Sequence, residues 1–582
     1  MDDLFNLVTS PWILVRDENC NEETVSIQDL FLKAHQFEAI AGETVTQNFA
    51  ILRLLEAILS TILYRYDLNG QPQPDVNQKV LLQRWAKLWD NGKFPPEMME
   101  PYLKDHAEEF NLLGDKRFMQ SREARKANVY SCKKMIGDLA VSGNKDRLFS
   151  FREWDEGEEP TISKAEAARW AQNLILFDDT AVKKSKEYRT VKGKGPDTAP
   201  GVGWGGKIAP IYFEGASLFE TLMINCVLLK EGAGLWGDMT PYWEVQESIE
   251  DSEGMRLERR LIPQPNDFAA LLTLPSRRIW LVEAKEKNNE ICGFRIISGD
   301  VFESENAFCE QFTLWKEKDT EENETISFSP DRHVPNKQLW RSFNKAFQNE
   351  NDGHLPGIVQ WLKRLESEDI LSENFRVRIK APFIQYKKGQ PSAVTDLTSH
   401  SMIIYSQLLN EKNEGYRAAI QDQVDKINRL AGAAEEFARQ AAKTTGADEG
   451  HAAERISAEL YQAVDQPFLE WIAAISPEKT DLGEAVNAWE ETAKSIGRRL
   501  VKKELEKYPT ANLFGKLIKQ ESDHTKKKTG KKAKKNEEES DEGENSKVLV
   551  SVMTAELKFN RVLNSIYMKE KRGTEDGEEQ SE

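Results

Sequence analysis

The spacing of hydrophobic positions changes twice along the 582 residues. Residues 1–180 carry apolar side chains mostly at helical spacing, and the dense run from Asn48 to Leu59 predicts a helix at the centre of a core. Between 180 and about 395, short apolar runs separated by turns predict strands with helices among them. From about 397 onward the strand signals fade, and helices are predicted near 397–410, 416–445, 450–475, 481–506 and 546–568.

These patterns predict an α+β fold with two domains. Residues 1–395 would form a large mixed domain, and residues 396–582 a C-terminal antiparallel four-helix bundle, because few glycines or prolines interrupt its helical runs. A lysine run at 526–535 is followed directly by an acidic run. Opposed charge blocks of this kind are typical of disordered segments, so the sequence predicts a disordered loop at about 522–545 and a disordered acidic tail.

Composition and charge narrow the function classes. With 39% hydrophobic and 30% charged residues, the chain has the make-up of a soluble globular protein. No uninterrupted apolar run reaches the roughly 18 residues of a membrane span, and the N-terminus lacks the features of a secretory signal. A nucleic-acid binder that works by electrostatics alone would be basic, whereas the net charge here is -18. Any contact with nucleic acid is therefore expected to come from local basic patches.

The patterns of known catalytic and metal sites are missing from the sequence. The five cysteines are widely spaced and never form a C-x-x-C pair, which predicts reduced thiols in a cytoplasm and no disulfide framework. None of the seven histidines belongs to an H-E-x-x-H or H-x-H motif, and no G-x-S-x-G elbow occurs. The sequence therefore predicts no catalytic residues, no metal and no cofactor.

A glycine-dense segment at 201–207 is the strongest candidate for a binding site. Four glycines within six positions leave little side chain above the backbone, so the segment is expected to lie against a partner that bulkier residues would hold away. A flexible surface loop is the plain alternative. A P-loop is another, because the segment fits G-x-x-x-x-G-K; however, Ile208 stands where Mg²⁺ coordination needs Ser or Thr, and Pro196 and Pro200 do not suit a core strand.

Basic residues and a predicted hairpin add to this candidate. The stretch before the glycines suits the tracking of phosphates, although a solvated surface loop would look the same. A hairpin tip is predicted at 385–392, where a plain turn is the common outcome, but its lysines suit phosphates and its glutamine amide can replace base-edge partners. The candidate phosphate contacts are Lys183, Lys184, Lys186, Arg189, Lys192 and Lys194, and a second basic cluster consists of Arg122, Arg125, Lys126, Lys133 and Lys134.

Four segments, taken in their order along the chain, resemble one known family. The chain is similar to the large subunit of the type I-E CRISPR Cascade surveillance complex, the CasA family, and the resemblance extends from residue 6 through the terminal bundle. The segments that carry it are Asn6–Arg16, Arg117–Gln120, Gly215–Leu222 and Thr273–Leu281.

The resemblance implies a non-catalytic subunit that senses DNA. The family recognises the protospacer-adjacent motif in foreign double-stranded DNA through the minor groove and starts local strand separation, after which the guide RNA reads the sequence by base pairing. The implied minor-groove loop consists of Gly201, Val202, Gly203, Trp204, Gly205, Gly206 and Lys207. The implied wedge hairpin consists of Lys387, Lys388, Gly389, Gln390 and Pro391, with Gln390 at the family's glutamine position.

The resemblance also implies partners. They are the target DNA, the guide-RNA ribonucleoprotein with the other Cascade subunits, and a recruited helicase–nuclease, whose docking the terminal bundle would assist while it holds displaced DNA; no membrane is implied. The loop formed by Leu148, Phe149, Ser150 and Phe151 would contact the guide RNA and neighbouring subunits.

Two departures from the family pattern matter. The cysteine pairs that bind zinc in some relatives are absent, so no zinc is expected. No lysine lies between Ile297 and Asp300, where the family's motif-reading lysine should fall, so that role is unassigned, with Lys207 and Arg295 as candidates. A P-loop-like nucleotide-binding protein and a structural RNA–protein scaffold remain the alternative functions.

Overall fold

A computed structural model describes most of the chain, and it divides into two compact units, Met1–Arg417 and Ala418–Glu582. The predicted α+β class, with a long helical C-terminal region, is confirmed. For residues 250–253, 390–393, 516–519 and 547–550 the backbone alone is described. The described residues are 4–136, 158–179, 201–253, 260–285, 290–318, 326–347, 354–387, 390–519 and 547–568.

The first unit mixes helices with short antiparallel strands. Its helices mostly begin at Ser, Thr, Asn or Asp caps; Ser163, for example, accepts from the N–H of Glu166 at the start of α6. The helices are α1 (Ile27–Lys33), α2 (Val45–Arg65), α3 (Gln78–Asn91), α4 (Pro96–Asp105), α5 (Cys132–Met135), α6 (Lys164–Phe177), α7 (Leu218–Asn225), α8 (Tyr242–Glu253), α9 (Phe268–Leu272), α10 (Phe343–Phe347) and α11 (Gly357–Ser367).

Four antiparallel sheets occur among the described residues of this unit. Their strand orders are β2-β1-β3, β4-β8-β5 with β7 also paired to β8, β9-β10, and β12-β11-β6. The strands are β1 (Ile13–Arg16), β2 (Glu22–Val25), β3 (Ala39–Ile40), β4 (Val129–Ser131), β5 (Ile162–Ser163), β6 (Tyr212–Glu214), β7 (Arg277–Glu283), β8 (Glu290–Ser298), β9 (Trp315–Glu317), β10 (Phe328–Pro330), β11 (Arg376–Lys387) and β12 (Gln390–Tyr405).

Helix α2 lies at the centre of the first unit, as its dense apolar run predicts. Its length and composition would suffice to cross a membrane, but 89% of its apolar 18-residue stretch is buried inside the fold. The Phe49 ring packs against the rings of Phe177, Tyr212 and Phe312, whose centroids lie 5.9–6.2 Å away. The helix therefore joins α6, the strand β6 and the segment around residue 312 into one core.

The second unit packs four long helices together. Gly497 on α14 faces Leu430 of α12 and Phe559 of α16, and the Phe468 ring on α13 lies 4.9 Å from that of Trp489 on α14. The elements are α12 (Glu414–Thr445), α13 (Glu449–Ala474), α14 (Leu482–Leu505), α15 (Thr510–Leu513), β13 (Lys516–Lys519), β14 (Lys547–Val550) and α16 (Val552–Ile566). The charged segment predicted at about 522–545 and the acidic tail lie outside the described residues.

The boundary between the units differs from the predicted one. The sequence places it at 395, with a helix at 397–410, but β12 continues to Tyr405 and pairs with β11 along its length. The helix prediction at 397–410 is therefore wrong, because the partner strand β11 fixes an extended conformation there. The division falls later, between Arg417 and Ala418 near the start of α12.

Candidate nucleic-acid interface

The glycine segment 201–207 lies mostly inside the first unit. Val202 and Trp204 are 7% and 3% exposed, and Gly203, Gly205 and Gly206 are also buried. A single 3₁₀ turn covers Trp204–Gly206. The expectation of a bare, exposed ribbon, or of a flexible surface loop, is therefore wrong for 202–206. The partly exposed residues of the segment are Gly201 and Lys207, one at each end.

The buried positions of the segment require glycine because other residues of this chain lie directly against them. A Cβ on Gly203 would lie 2.3 Å from the carbonyl oxygen of Leu176, and one on Gly205 would lie 2.7 Å from the Phe177 ring. Atoms cannot approach so closely, so any larger residue would push the segment away from the end of α6. Gly201 differs, because nothing lies within 4 Å of its Cβ position and its φ is +76°, which favours glycine.

Trp204 anchors the segment in the core. Its indole Nε1–H donates to Glu310 across 2.6 Å, and its ring lies 4.4 Å from that of Phe302. The same Glu310 carboxylate forms an ion pair with Arg53 of α2 at 2.8 Å, with both side chains almost fully buried. The glycine segment is thus tied to the central helix through one shared carboxylate.

The predicted hairpin forms from β11 and β12. Pairing is regular from Arg376 opposite Tyr405 to Gln385 opposite Asp396, and then shifts register twice on the way to the tip. These irregularities sharpen the twist and re-aim the tip. Lys387 pairs with Gln390 at the last described position, so β11 and β12 are paired antiparallel up to these residues. Lys388 and Gly389 lie outside the described residues, and Gln390 and Pro391 are described as strand backbone.

Tyr386 joins the hairpin to the glycine segment. Its hydroxyl donates to the carbonyl of Phe177 across 2.9 Å, and a Cβ on Gly206 would lie 2.5 Å from that hydroxyl. Burial raises the pKa of the Tyr386 hydroxyl far above its ordinary value, so it remains a donor at neutral pH. The absence of a side chain at Gly206 therefore lets the hairpin, close to its tip, pack onto the segment.

A cleft of about 160 Å³ opens between the two elements. The glycine segment supplies one wall through Gly205 and Gly206, and β11 supplies the other through Gln385 and Tyr386. The exposed side chain of Arg332 also lines it. The structure thus brings together the two elements that the sequence singled out separately, and places a guanidinium beside them.

Comparison with known proteins identifies the family. The sequence model of the CRISPR-associated protein Cse1 family matches residues 6–500. The chain belongs to the Cse1 family. A search of curated proteins found no match.

Solved structures show the same fold. Cse1 from Thermobifida fusca superimposes with a TM-score of 0.75 at 23% identity, covering 97% of this chain and 98% of that one. CasA (Cse1) from Thermus thermophilus gives 0.68 at 16% identity, covering 96% and 99%. A chain of a CRISPR RNA-guided surveillance complex gives 0.58 at 15% identity, covering 86% and 96%.

Arg295 and Lys207, the two candidates for the role of the family's motif-reading lysine, have different surroundings. Arg295 lies within β8, and its guanidinium donates to the carbonyl of Ala127. Lys207 is half-buried at the end of the glycine segment, with its Nζ 6.0 Å from the centre of the Trp204 ring. Of the two, Lys207 is the one that lies on the glycine segment itself.

Part of the predicted site lies outside the described residues. This applies to the basic stretch Lys183–Lys194 and to the loop Leu148–Phe151. The second basic cluster is described: Arg125 lies 4.0 Å from the Trp280 ring centre and Lys134 lies 3.9 Å from that of Tyr130, beside the edge strand β4.

The P-loop alternative is not compatible with the local fold. A P-loop holds phosphate with free backbone N–H groups and leads into a helix. Here the N–H of Gly203 donates to Asp178, and those of Gly206 and Lys207 donate within the segment. The next element is the strand β6. Among the described residues, no group of three His, Cys, Asp or Glu side chains could hold a metal ion.

Sequence reasoning missed three residues that fix the site, namely Glu310, Asp178 and Arg277, and it placed Tyr386 in the hairpin without its contact with the glycine segment. A usable signal existed for Arg277: it and Arg278 are consecutive charges in the otherwise apolar run Arg277–Val282. Charges in such a run must find partners if the strand is buried.

Proposed function

We propose that this chain is the non-catalytic large subunit of a CRISPR Cascade surveillance complex that recognises the protospacer-adjacent motif in foreign duplex DNA and starts strand separation beside it. Membership of the Cse1 family supports this, as does the fold shared with chains of CRISPR RNA-guided surveillance complexes. Its partners are then the target DNA, the guide RNA with the other subunits, and the helicase–nuclease that the complex recruits, all in the cytoplasm.

The observation that carries the proposal is the junction of the glycine segment with the hairpin through Gly206 and Tyr386. Motif reading and strand opening must act on adjacent base pairs, so the elements that perform them must adjoin. Gly201 gives the backbone access to a narrow minor groove, where bulky side chains would be excluded. Lys207 and Arg332 supply positive charge to the neighbouring phosphates.

The energetic balance favours binding before opening. Unstacking one base step costs a few kcal/mol, which the groove and phosphate contacts must offset. The net charge of -18 opposes loose association with DNA in general. Stable engagement then requires the local basic groups and the groove contacts together, which restricts opening by the hairpin to duplexes that carry the motif.

The assembled complex provides the test. We expect Lys207→Ala to weaken binding to a motif-containing duplex by about tenfold, the value of one lost charge-assisted contact. Gln390→Ala should leave initial capture largely intact but reduce strand opening, measured by permanganate reactivity or 2-aminopurine fluorescence beside the motif. Lys316 is an exposed lysine on β9. Lys316→Ala is therefore the matched control and should change neither the affinity for the duplex nor the strand opening.

The outcome also separates the alternative function. If the parent complex binds motif-containing and motif-lacking duplexes equally, the chain is a structural RNA–protein scaffold and the proposal fails. Gly203→Asp does not test DNA contact, because a side chain there collides with the backbone of Leu176. Any effect of Gly203→Asp on DNA binding would therefore arise from a disturbed fold.

A further inference from the structure

Arg277 occupies a position that motif recognition alone does not explain. Its side chain is 2% exposed, and its Nε donates to the Asp178 carboxylate across 2.6 Å. Nη1 donates to the carbonyl of Ser276, at 2.8 Å. Nη2 donates to two further carbonyls, those of Asp179 at 3.1 Å and Gly201 at 2.5 Å. One guanidinium thus holds a carboxylate and the backbone at two places distant in sequence.

The two backbone contacts lie on either side of residues 180–200 in the sequence. Asp179 is the last described residue before 180–200, and Gly201 is the first after it. The N–H of Gly203 also donates to the carbonyl of Asp178, at 2.9 Å. Arg277 and Asp178 therefore hold Asp179, which precedes the basic stretch in sequence, close to Gly201, the first residue of the glycine segment.

The hold on Gly201 has a directional consequence. In a trans peptide the carbonyl and the following N–H point in opposite directions, so a Gly201 carbonyl aimed at Arg277 turns the N–H of Val202 away from it. The space beside Gly201 is open, with no atom within 4 Å of its Cβ position. The fixed carbonyl therefore sets the direction of the turn at the partly exposed Gly201, where the backbone can approach a narrow groove.

We propose that Arg277 is a positioning residue for DNA recognition: by fixing the Gly201 carbonyl inward, it holds the partly exposed turn at Gly201 in the orientation that faces the minor groove. This rests on the proposed function. Arginine is required because its planar fork reaches the carboxylate and both carbonyls at once, whereas a lysine keeps the charge beside Asp178 but loses the fork.

The first experiment needs no DNA. Hydrogen exchange of the full-length chain, followed by mass spectrometry of peptides covering 201–207, should show at least tenfold faster exchange in Arg277→Lys. The matched control is Arg278→Lys, the next residue of β7, which is equally buried but pairs with Glu123 and Asp300 instead. The control should leave exchange of 201–207 unchanged. Unaltered exchange in Arg277→Lys overturns the proposal.

The second experiment uses the assembled complex. The ratio of affinities for motif-containing and motif-lacking duplexes should fall about tenfold in Arg277→Lys and stay at the parent value in Arg278→Lys, with the melting temperature of each variant measured alongside. An equal fall in both variants means a structural role only and overturns the proposal. If the parent shows no motif preference, the proposed function fails, and the exchange experiment still decides whether Arg277 positions the turn.

Discussion

Gly201 and Gly203 are glycines for different physical reasons, although they stand two positions apart. Gly203 leaves room for the carbonyl of Leu176, 2.3 Å from where a Cβ would be, whereas Gly201 has open space around it and a φ of +76°. The sequence shows four equivalent glycines, and backbone permissiveness is the natural interpretation of all of them. Packing inside the chain explains three, because Gly203, Gly205 and Gly206 each face an atom closer than 3.0 Å.

Alanine substitutions should separate the two causes. Gly203→Ala forces a shift of rigid backbone and should lower the free energy of unfolding by about 1–3 kcal/mol. Gly201→Ala meets no atoms but holds a Cβ residue in the left-handed region, which should cost about 1 kcal/mol. Urea unfolding of both variants measures the difference. An equal or larger loss in Gly201→Ala would show that space at Gly203 is not limiting.

At the scale of elements, the sequence predicts the long C-terminal helices but not how the elements join. The apolar positions of α12, α13 and α14 repeat regularly over long stretches, so their periodicity is enough. The hairpin tip was predictable because a polar turn divides two strand-like runs. Its contact with the glycine segment was not, because Tyr386 and Gly206 are distant in sequence and neither carries a motif for the other. The boundary at 395 failed for the same reason, since β12 owes its length to β11.

The β6–β11–β12 sheet carries a pH-sensitive contact. His333 donates from Nε2 to the carbonyl of Pro210 across 2.8 Å, and its ring lies 5.8 Å from that of Phe383 on β11. Burial, reinforced by His400 and Lys337, lowers the pKa of His333 to about 4; the Pro210 carbonyl and Asp331 oppose the shift. The folded protein therefore keeps this ring neutral at pH values where the unfolded chain is protonated.

Stability should fall in a defined pH window because of His333. Between pH 6.5 and 4 the unfolded state binds a proton that the folded state refuses, so the free energy of unfolding decreases as pH falls. Relative to the parent, His333→Gln should lose about 1–2 kcal/mol less between pH 7 and pH 5. Urea unfolding of the two proteins at a series of pH values measures this. Parallel pH profiles would contradict it.

At the scale of the whole first unit, one buried carboxylate connects parts far apart in the chain. Glu310 accepts from Arg53 of α2 and from the indole of Trp204, and Arg53 also reaches the carbonyl of Leu271 at 3.4 Å. No local pattern predicts such a junction, because it depends on the packing of several elements. The sequence shows only a glutamate among 97 acidic residues.

Neutralising this carboxylate should destabilise the first unit strongly. Glu310→Gln leaves Arg53 buried without a counter-charge, which should cost about 3–5 kcal/mol. Glu38→Gln removes the partner of Arg16 in a half-exposed pair at 3.0 Å and should cost less than about 1 kcal/mol. Thermal unfolding followed by circular dichroism compares the two. A loss in Glu310→Gln no larger than in Glu38→Gln would contradict this assignment.

The Arg53–Glu310 pair also sets an order for events during synthesis. A nascent chain that has left the ribosome only as far as residue 300 holds the central helix and the glycine segment, but neither the glutamate that neutralises Arg53 nor the tyrosine that closes onto Gly206. Until residues 310 and 386 emerge, the central helix carries an unmatched charge that resists desolvation. The proposed DNA-binding surface can therefore assemble only near the end of translation of the first unit, and a prematurely terminated product has no means of forming it.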